Sequence, residues 1–159
     1  LKTKTNTIGI LATKGTLNSE LFEKTSKTIK KGIIIKETIG KGLVELIENG
    51  KLNSDEMNHL LSYYLQPMIN ENVNCLVLGC THYAYLIPQI RKIVGNQMQI
   101  IDSGEAVARQ TKAVLQANKI VNTNLKKGQH QFYINKDKIA LEKILANYAD
   151  KIKITEKSF

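Results

Sequence analysis

One stretch decides the fold of this chain: Asn74-Cys75-Leu76-Val77-Leu78-Gly79-Cys80-Thr81-His82-Tyr83. Its apolar half has the length and composition of a buried β-strand, and that strand breaks at Gly79. A thiol, a hydroxyl and an imidazole then follow in three consecutive residues, just before a new helical pattern. Because the unpaired N–H groups at a helix start favour a thiolate, this turn predicts a chemically active site centred on Cys80.

The rest of the chain alternates strand-like and helix-like segments around this turn. Strands are predicted at 7–13, 32–36, 75–78, 98–102, 130–134 and 151–155, and helices at 20–30, 43–49, from 53 past Pro67, at 83–94, 103–117 and 136–149. This alternation predicts an α/β fold with parallel strands and right-handed crossovers. We expect Asn18 or Ser19 and then Ser103 to cap helices, and Gly50 to end one. Pro67 is expected to kink or shorten the helix in which it lies.

Length and composition place the chain among folded globular proteins. Its 159 residues, 42% of them hydrophobic, suffice for one domain or two small lobes. No apolar run approaches the roughly 20 residues that cross a bilayer, so we expect a cytoplasmic protein without membrane association. The two cysteines have no metal-ligand spacing and are expected to be free thiols. Because the first residue is Leu and not Met, we expect a piece of a longer chain.

The net charge of +9 is concentrated at the two ends of the chain. Residues 1–40 and 119–159 each carry +5, whereas the middle carries −1. Lysine outnumbers arginine by 21 to 2, although base and phosphate recognition often relies on arginine forks. The pattern therefore favours solvated lysine surfaces over a nucleic-acid partner.

The residues of the Gly-Cys-Thr-His turn allow three interpretations. In the first, Cys80 is a proton-transfer base or nucleophile, His82 tunes it, and Thr81 binds a carboxylate or phosphate of a ligand. In the second, Cys80 is an inert buried thiol and His82 a satisfied turn residue. The third is a metal site, which two ligands without a further cluster do not favour. Cys75, inside the strand, is predicted to be core.

Four motifs resemble those of a known family. Leu76 to Tyr83 resembles the second cysteine motif of the glutamate racemases, within the aspartate/glutamate racemase superfamily. Ile8 to Thr16 resembles the strand and threonine loop that open the second lobe of that family, and Leu46 to Gly50 resembles its glutamate-bearing helix end. Ile101 to Arg109 is similar to the segment where the chain returns to the first lobe, and the likeness weakens beyond about residue 118.

The resemblance implies a Rossmann-like parallel sheet flanked by helices and divided between two lobes. Residues 1–101 would form one complete α/β lobe that carries the Gly-Cys-Thr-His motif. Residues 102–159 would belong to the C-terminal part of the other lobe, which is incomplete here. From the residues alone, Glu48 is a solvated acid at a helix end.

The resemblance also implies an activity, the racemisation of L-glutamate to D-glutamate without a cofactor. This isomerase reaction supplies D-amino acid for peptidoglycan and so supports cell wall biogenesis and cell shape. Two thiols on opposite faces of the α-carbon exchange its proton. Cys80 would be one of them, His82 would assist it, and Glu48 would lie near the imidazole. Thr81 and Thr16 would bind the substrate.

The sequence departs from the family in one decisive respect. The Asp-Ser-Gly segment after the first strand and the Cys-Asn-Thr segment with the other thiol are not present, and Cys75 is too near Cys80 to replace that thiol. We therefore expect the C-terminal three fifths of a homo-oligomeric racemase, inactive without an N-terminal lobe segment. The alternatives are a non-catalytic basic module that binds nucleic acid or an acidic protein, and a racemase of another amino acid such as aspartate.

Overall fold

A computed structural model describes residues 3–29, 31–124, 128–136 and 138–159. The strands are β1 (Thr7–Ala12), β2 (Ile34–Ile39), β3 (Cys75–Gly79), β4 (Gln99–Ile101), β5 (His130–Ile134) and β6 (Ile152–Glu156). The α-helices are α1 (Lys14–Leu17), α2 (Glu20–Lys27), α3 (Leu43–Glu48), α4 (Asp55–Asn70), α5 (Ile87–Val94), α6 (Gly104–Ala117) and α7 (Ile139–Ile144). Two 3₁₀-helices span Thr81–Leu86 and Ala146–Tyr148. The predicted α/β class is confirmed.

Four parallel strands form the main sheet in the order β2-β1-β3-β4. In β1, which is central, all six residues are buried, and β3 is nearly as buried. Parallel strands connected by helices have their carboxyl ends at one edge of the sheet, where ligands of such folds bind. Ala12 at the end of β1 pairs with both Ile39 and Gly79, so three strands end side by side.

The core lies between this sheet and the helices that follow β2 and β3. Its fully buried members come from β1, α3, α4, β3, the first 3₁₀-helix and α5, and include Leu11, Ile47, Leu61, Leu76, Leu86 and Ile90. The apolar stripe predicted on α4 supplies Leu61, Leu65 and Met68 to it, with Leu60 and Tyr64 packed at its margin. Apolar burial of this extent fixes the register of β1 against β3.

The last third of the chain contains a second, two-stranded sheet. Strands β5 and β6 pair in parallel with each other and not with the main sheet. Helix α6 buries none of its residues, all of which lie in the described part, and it exposes Val107 and Val114. The residues after β4 therefore contribute little to the core of the first sheet.

Several local expectations are confirmed at the helix ends. The Ser19 hydroxyl accepts the Phe22 N–H at 3.2 Å, as a capping side chain does. Gly50 takes the left-handed conformation, with φ of 71°, and closes α3 through its N–H to the Ile47 carbonyl. The expectation that Pro67 shortens its helix is wrong, because α4 continues to Asn70.

Other local expectations are wrong. Ser103 makes no capping hydrogen bond from its side chain, because the Asp102 carboxylate accepts the Gly104 N–H at 3.0 Å instead. The predicted helix at 136–149 is two short pieces, α7 and the second 3₁₀-helix, and its residue 137 lies outside the described residues. The second predicted strand is shifted, since β2 begins at Ile34 and ends at Ile39.

The carboxyl ends of β1 and β3 approach unusually closely. A Cβ atom placed on Gly79 would lie 2.6 Å from the Ala12 Cβ and 3.5 Å from the Thr16 Cγ2. Only a glycine fits opposite Ala12 without moving one strand. The turn after β3 therefore lies directly against the threonine loop after β1.

This close approach predicts that Gly79→Ala destabilises the fold by about 1–3 kcal/mol, because the added methyl group meets buried backbone and side chain. Gly15→Ala is the matched control, since no atom lies within 4 Å of a Cβ at that helical position. We expect the control to change stability by less than about 1 kcal/mol. Urea denaturation followed by circular dichroism measures both, and equal stabilities of the two variants would contradict the close packing.

Candidate active site

A row of three polar side chains lies at the carboxyl edge of the main sheet. The Cys80 Sγ is 3.9 Å from the His82 Nδ1, and the His82 Nε2 is 3.3 Å from the Glu48 Oε1. Cys80 directly follows β3, His82 lies in the first 3₁₀-helix, and Glu48 ends α3. The imidazole therefore connects a thiol on one side with a carboxylate on the other.

Exposure differs along this row. The Glu48 side chain is 60% exposed and the His82 side chain 35%, whereas Cys80 is half-buried. A carboxylate in such a position orients an imidazole and determines which ring nitrogen carries the proton. Glu48 is solvated, as the residues alone predict, and it also contacts the imidazole, as the resemblance implies.

Two threonines of the neighbouring loop form a hydroxyl pair. The Thr13 and Thr16 hydroxyls are 3.0 Å apart, and the Thr16 N–H also donates to the Thr13 hydroxyl at 3.3 Å. Thr13 was not among the predicted site residues, although its position at the end of a buried strand is the signal that could have identified it. Thr81 is exposed at the start of the 3₁₀-helix.

Helical structure begins earlier after β3 than expected, and it begins as a 3₁₀-helix. The tighter winding covers residues 81–86, and the α-helix starts only at Ile87. Cys80 remains extended, with φ of −148°, immediately before that turn. The thiol therefore belongs to the strand-to-turn junction and not to the end of a long α-helix.

Tyr83 is a further residue of this edge that the sequence analysis did not select. It is fully buried, and its hydroxyl donates to the Gly40 carbonyl at 2.9 Å. Burial, and then the nearby Cys80, raises the pKa of the Tyr83 phenol well above its usual range. A buried tyrosine requires a hydrogen-bond partner for its hydroxyl. The aromatic residue directly after the turn was therefore the signal that could have identified Tyr83 as part of this edge.

Cys75 has a different environment from Cys80. It is fully buried at the amino end of β3, and burial raises the pKa of its thiol. Five residues of strand separate it from Cys80 by about 16 Å. The predicted assignment of Cys75 to the core is confirmed.

A cleft of about 500 Å³ opens at the ends of β1 and β2. It is lined by Thr13, Lys14, Ile39, Gly40, Lys41, Gly42, Val44 and Glu45. Among the described residues, no group of three or more histidine, cysteine or acidic side chains is arranged to hold a metal ion. None of the described helices is both long and apolar enough to cross a membrane.

The fold and the site define a parallel α/β domain with a thiol, an imidazole and hydroxyl groups at the carboxyl edge of its sheet. Residues 1–111 match the family model described as Asp/Glu/Hydantoin racemase. A glutamate racemase of Pseudomonas putida strain F1 is 38% identical over 143 residues, which cover 90% of this chain and 54% of that protein. A glutamate racemase of Bacillus cereus is 33% identical over 145 residues, which cover 91% of this chain and 54% of that protein. The chain belongs to the Asp/Glu/Hydantoin racemase family.

Solved structures resemble the fold over almost the whole chain. A glutamate racemase isoform of Bacillus anthracis has a TM-score of 0.81 at 26% identity. The match covers 99% of this chain and 59% of the Bacillus anthracis chain. The glutamate racemase of Francisella tularensis, solved in complex with D-glutamate, has a TM-score of 0.78 at 23% identity. That match covers 97% of this chain and 57% of the Francisella tularensis chain. This chain spans about half the length of the curated relatives that it matches.

The different burial of the two cysteines predicts selective alkylation. Iodoacetamide should modify Cys80 in the folded protein, whereas Cys75 should react on the order of a hundredfold more slowly because it requires unfolding. Peptide mapping by mass spectrometry measures both sites. In urea the two cysteines should react at similar rates, and similar rates in the folded protein would contradict the assignment of Cys75 to the core.

The buried phenol predicts how stability depends on alkaline pH. In the unfolded chain the Tyr83 phenol loses its proton near its ordinary pKa of 10.0. In the folded protein the phenol keeps that proton to higher pH, because burial raises its pKa. The unfolded state then binds fewer protons, so stability falls by about 1.4 kcal/mol per pH unit above that value. Tyr83→Phe lacks this contribution, so its free energy of unfolding should fall less steeply between about pH 9 and pH 11.

Urea titrations of both proteins across that pH range measure the difference. Titration of the other groups is common to the two proteins and cancels in the comparison. Parallel curves for the two proteins would contradict the burial of an un-ionised phenol.

Proposed function

We propose that this chain forms one side of the active site of a glutamate racemase, which interconverts L-glutamate and D-glutamate. The observation that carries the proposal is the row of Cys80, His82 and Glu48 at the carboxyl edge of the parallel sheet. Family membership and relatives named glutamate racemase support the choice of reaction and substrate. A racemase of another amino acid would use the same proton chemistry, and the names of the relatives favour glutamate.

The reaction breaks the Cα–H bond of the amino acid and forms the same bond on the opposite face. In one direction the Cys80 thiolate removes the α-proton, so that an S–H bond forms and a carbanion-like centre develops on the substrate. A thiol on the other face then donates its proton to that carbon. In the reverse direction the two thiols exchange roles, and the reaction needs no cofactor.

His82 and Glu48 support the thiol in this scheme. At 3.9 Å from the sulfur, the imidazole accepts the thiol proton or stabilises the thiolate before substrate enters. Glu48 orients the imidazole through the Nε2 atom. The Thr16 and Thr81 hydroxyls are the binding groups for the substrate, and hydroxyl and backbone donors at this edge would stabilise the developing negative charge.

The second thiol of this scheme must come from outside the described site. Cys75 is buried about 16 Å away along β3, so it cannot reach the far face of the same α-carbon. We propose that it comes from a segment corresponding to the part of the relatives that this chain does not match. The chain alone would then bind one face of the substrate and would not racemise it.

Residues 102–159 belong with that complementary segment in our proposal, whereas residues 1–101 form the lobe with Cys80. Helix α6 exposes Val107 and Val114, and β5 exposes Phe132 and Tyr133. The β5–β6 pair also has no neighbouring strand among the described residues, and such a small sheet is stabilised when another layer packs on it. The complementary segment would cover these apolar side chains.

The biological setting follows from the reaction. D-glutamate is a component of peptidoglycan, so we propose a role in cell wall biogenesis and the maintenance of cell shape. The substrate and the wall precursors are cytoplasmic in this scheme. We also propose a homo-oligomer as the working form.

The reaction predicts exchange of the α-hydrogen of glutamate with solvent deuterium. We expect no enzymatic exchange with this chain alone, and exchange when it is fused to the unmatched portion of the Pseudomonas putida relative. Cys80→Ala should reduce the exchange in the fused protein by at least about 10³-fold, because it removes the group that takes the proton. Proton NMR in D₂O measures the loss of the α-proton signal.

Cys75→Ala in the same fused protein is the control, and we expect it to retain exchange within about tenfold. A Cys80→Ala variant that exchanges as fast as the parent protein would contradict the assigned base. Exchange by the chain alone at the rate of the fused protein would contradict the two-thiol scheme.

A further inference from the structure

One buried hydrogen bond connects the turn after β3 with the loop after β2. The Tyr83 hydroxyl donates to the Gly40 carbonyl, which is 43 residues away in the sequence. The Gly40 N–H donates in turn to the Ala12 carbonyl at 2.9 Å. The carboxyl ends of β1, β2 and β3 are thereby joined at a single residue, Gly40.

The contact between Gly40 and Tyr83 leaves no space for a side chain at position 40. A Cβ atom on Gly40 would lie 2.5 Å from the Tyr83 hydroxyl oxygen and 2.7 Å from the Leu43 Cδ1. The tyrosine ring is fully buried, so neither partner exchanges its hydrogen bond with water. A buried bond of this kind is costly to leave unmade.

Each partner of this bond is also hydrogen-bonded to a segment that carries one end of the polar row. The Tyr83 N–H donates to the Cys80 carbonyl at 3.1 Å, which closes the turn that carries the thiol and His82. The Gly40 carbonyl also accepts the Leu43 N–H at 3.4 Å, at the start of the helix that carries Glu48. The bond therefore links the support of the thiol and imidazole to the support of the carboxylate.

We propose that Tyr83 is a positioning residue, whose hydrogen bond to Gly40 holds Cys80 and His82 in register with the helix that bears Glu48. The proposal rests on the proposed function, in which the imidazole controls the protonation of the thiol. Tyr83 touches no substrate in this scheme and acts only through the Cys80–His82 turn. Removal of its hydroxyl should weaken the coupling between the imidazole and the sulfur while the fold remains.

Tyr64 provides a matched control. Its hydroxyl donates to the Lys41 carbonyl at 2.8 Å, one residue beyond the acceptor of Tyr83. The two phenols therefore bind neighbouring carbonyl groups of the same loop. Tyr64 lies on α4, however, and is not part of the turn with Cys80. A general loss of stability in this loop should affect both variants, whereas loss of positioning should affect only Tyr83→Phe.

The experiment measures how strongly His82 controls the reactivity of Cys80 in this chain, without fusion to another segment. The rate of Cys80 alkylation by iodoacetamide is determined with and without His82→Gln, in the parent protein and in Tyr83→Phe and Tyr64→Phe. In the parent and in Tyr64→Phe, we expect His82→Gln to slow alkylation by about fivefold or more, because the imidazole favours the thiolate. In Tyr83→Phe the same substitution should change the rate by less than about twofold, which a double-mutant cycle expresses as lost coupling.

Protection of Cys75 reports folding in every variant within the same reaction. Sucrose keeps a weakened variant folded during the measurement, because an excluded osmolyte favours the compact state. The proposal is overturned if His82→Gln slows alkylation equally in Tyr83→Phe and the parent, or if it has no effect in the parent. It is also overturned if Tyr64→Phe loses the coupling to the same degree.

This result is independent of deuterium exchange in the fused protein. Coupling that depends on Tyr83 without any racemisation would refute the proposed reaction and retain the positioning role. Racemisation without such coupling would refute the positioning role alone.

Discussion

The in-register pairing of Ala12 with Gly79 positions the polar edge of this structure. Parallel strands in register end together, so the loops that follow them lie side by side. The absence of a side chain on Gly79 lets the two strand ends approach until the threonine loop contacts the cysteine turn. Burial of β1 on both faces makes a slip of one residue costly, because it would turn every side chain to the opposite buried face, where the packing is different. The polar edge is therefore positioned by an apolar core that takes no part in the chemistry.

The local pattern of the sequence was enough to predict the class of fold and the central turn. A buried strand that ends in Gly79 and a run of reactive side chains is a local signal, as are the cap at Ser19 and the left-handed Gly50. The hydrogen bond from Tyr83 to Gly40 was not predictable in this way, because it joins loops that are distant in the sequence. Ser103 shows another limit, since two neighbouring side chains compete for one helix start and the sequence does not rank them.

The two cysteines show how environment separates residues of one type. Both belong to the same strand-and-turn unit, and the sequence predicted one as core and the other as reactive. The structure places Cys75 in the apolar interior and leaves Cys80 half-exposed beside His82. Desolvation raises the pKa of the first thiol, whereas the second lies 3.9 Å from an imidazole nitrogen. The chemistry of the turn therefore depends on which end of β3 a cysteine occupies.

We propose that this chain offers its carboxyl edge to one face of an amino-acid substrate. Titration of the ¹⁵N-labelled chain with glutamate, followed by ¹H–¹⁵N NMR, tests this binding. We expect saturable shifts, with a dissociation constant of about millimolar or weaker, concentrated at residues 13–16 and 80–82. Shifts confined to the lysine-rich residues after β4, or no saturable shift at the carboxyl edge, would contradict it.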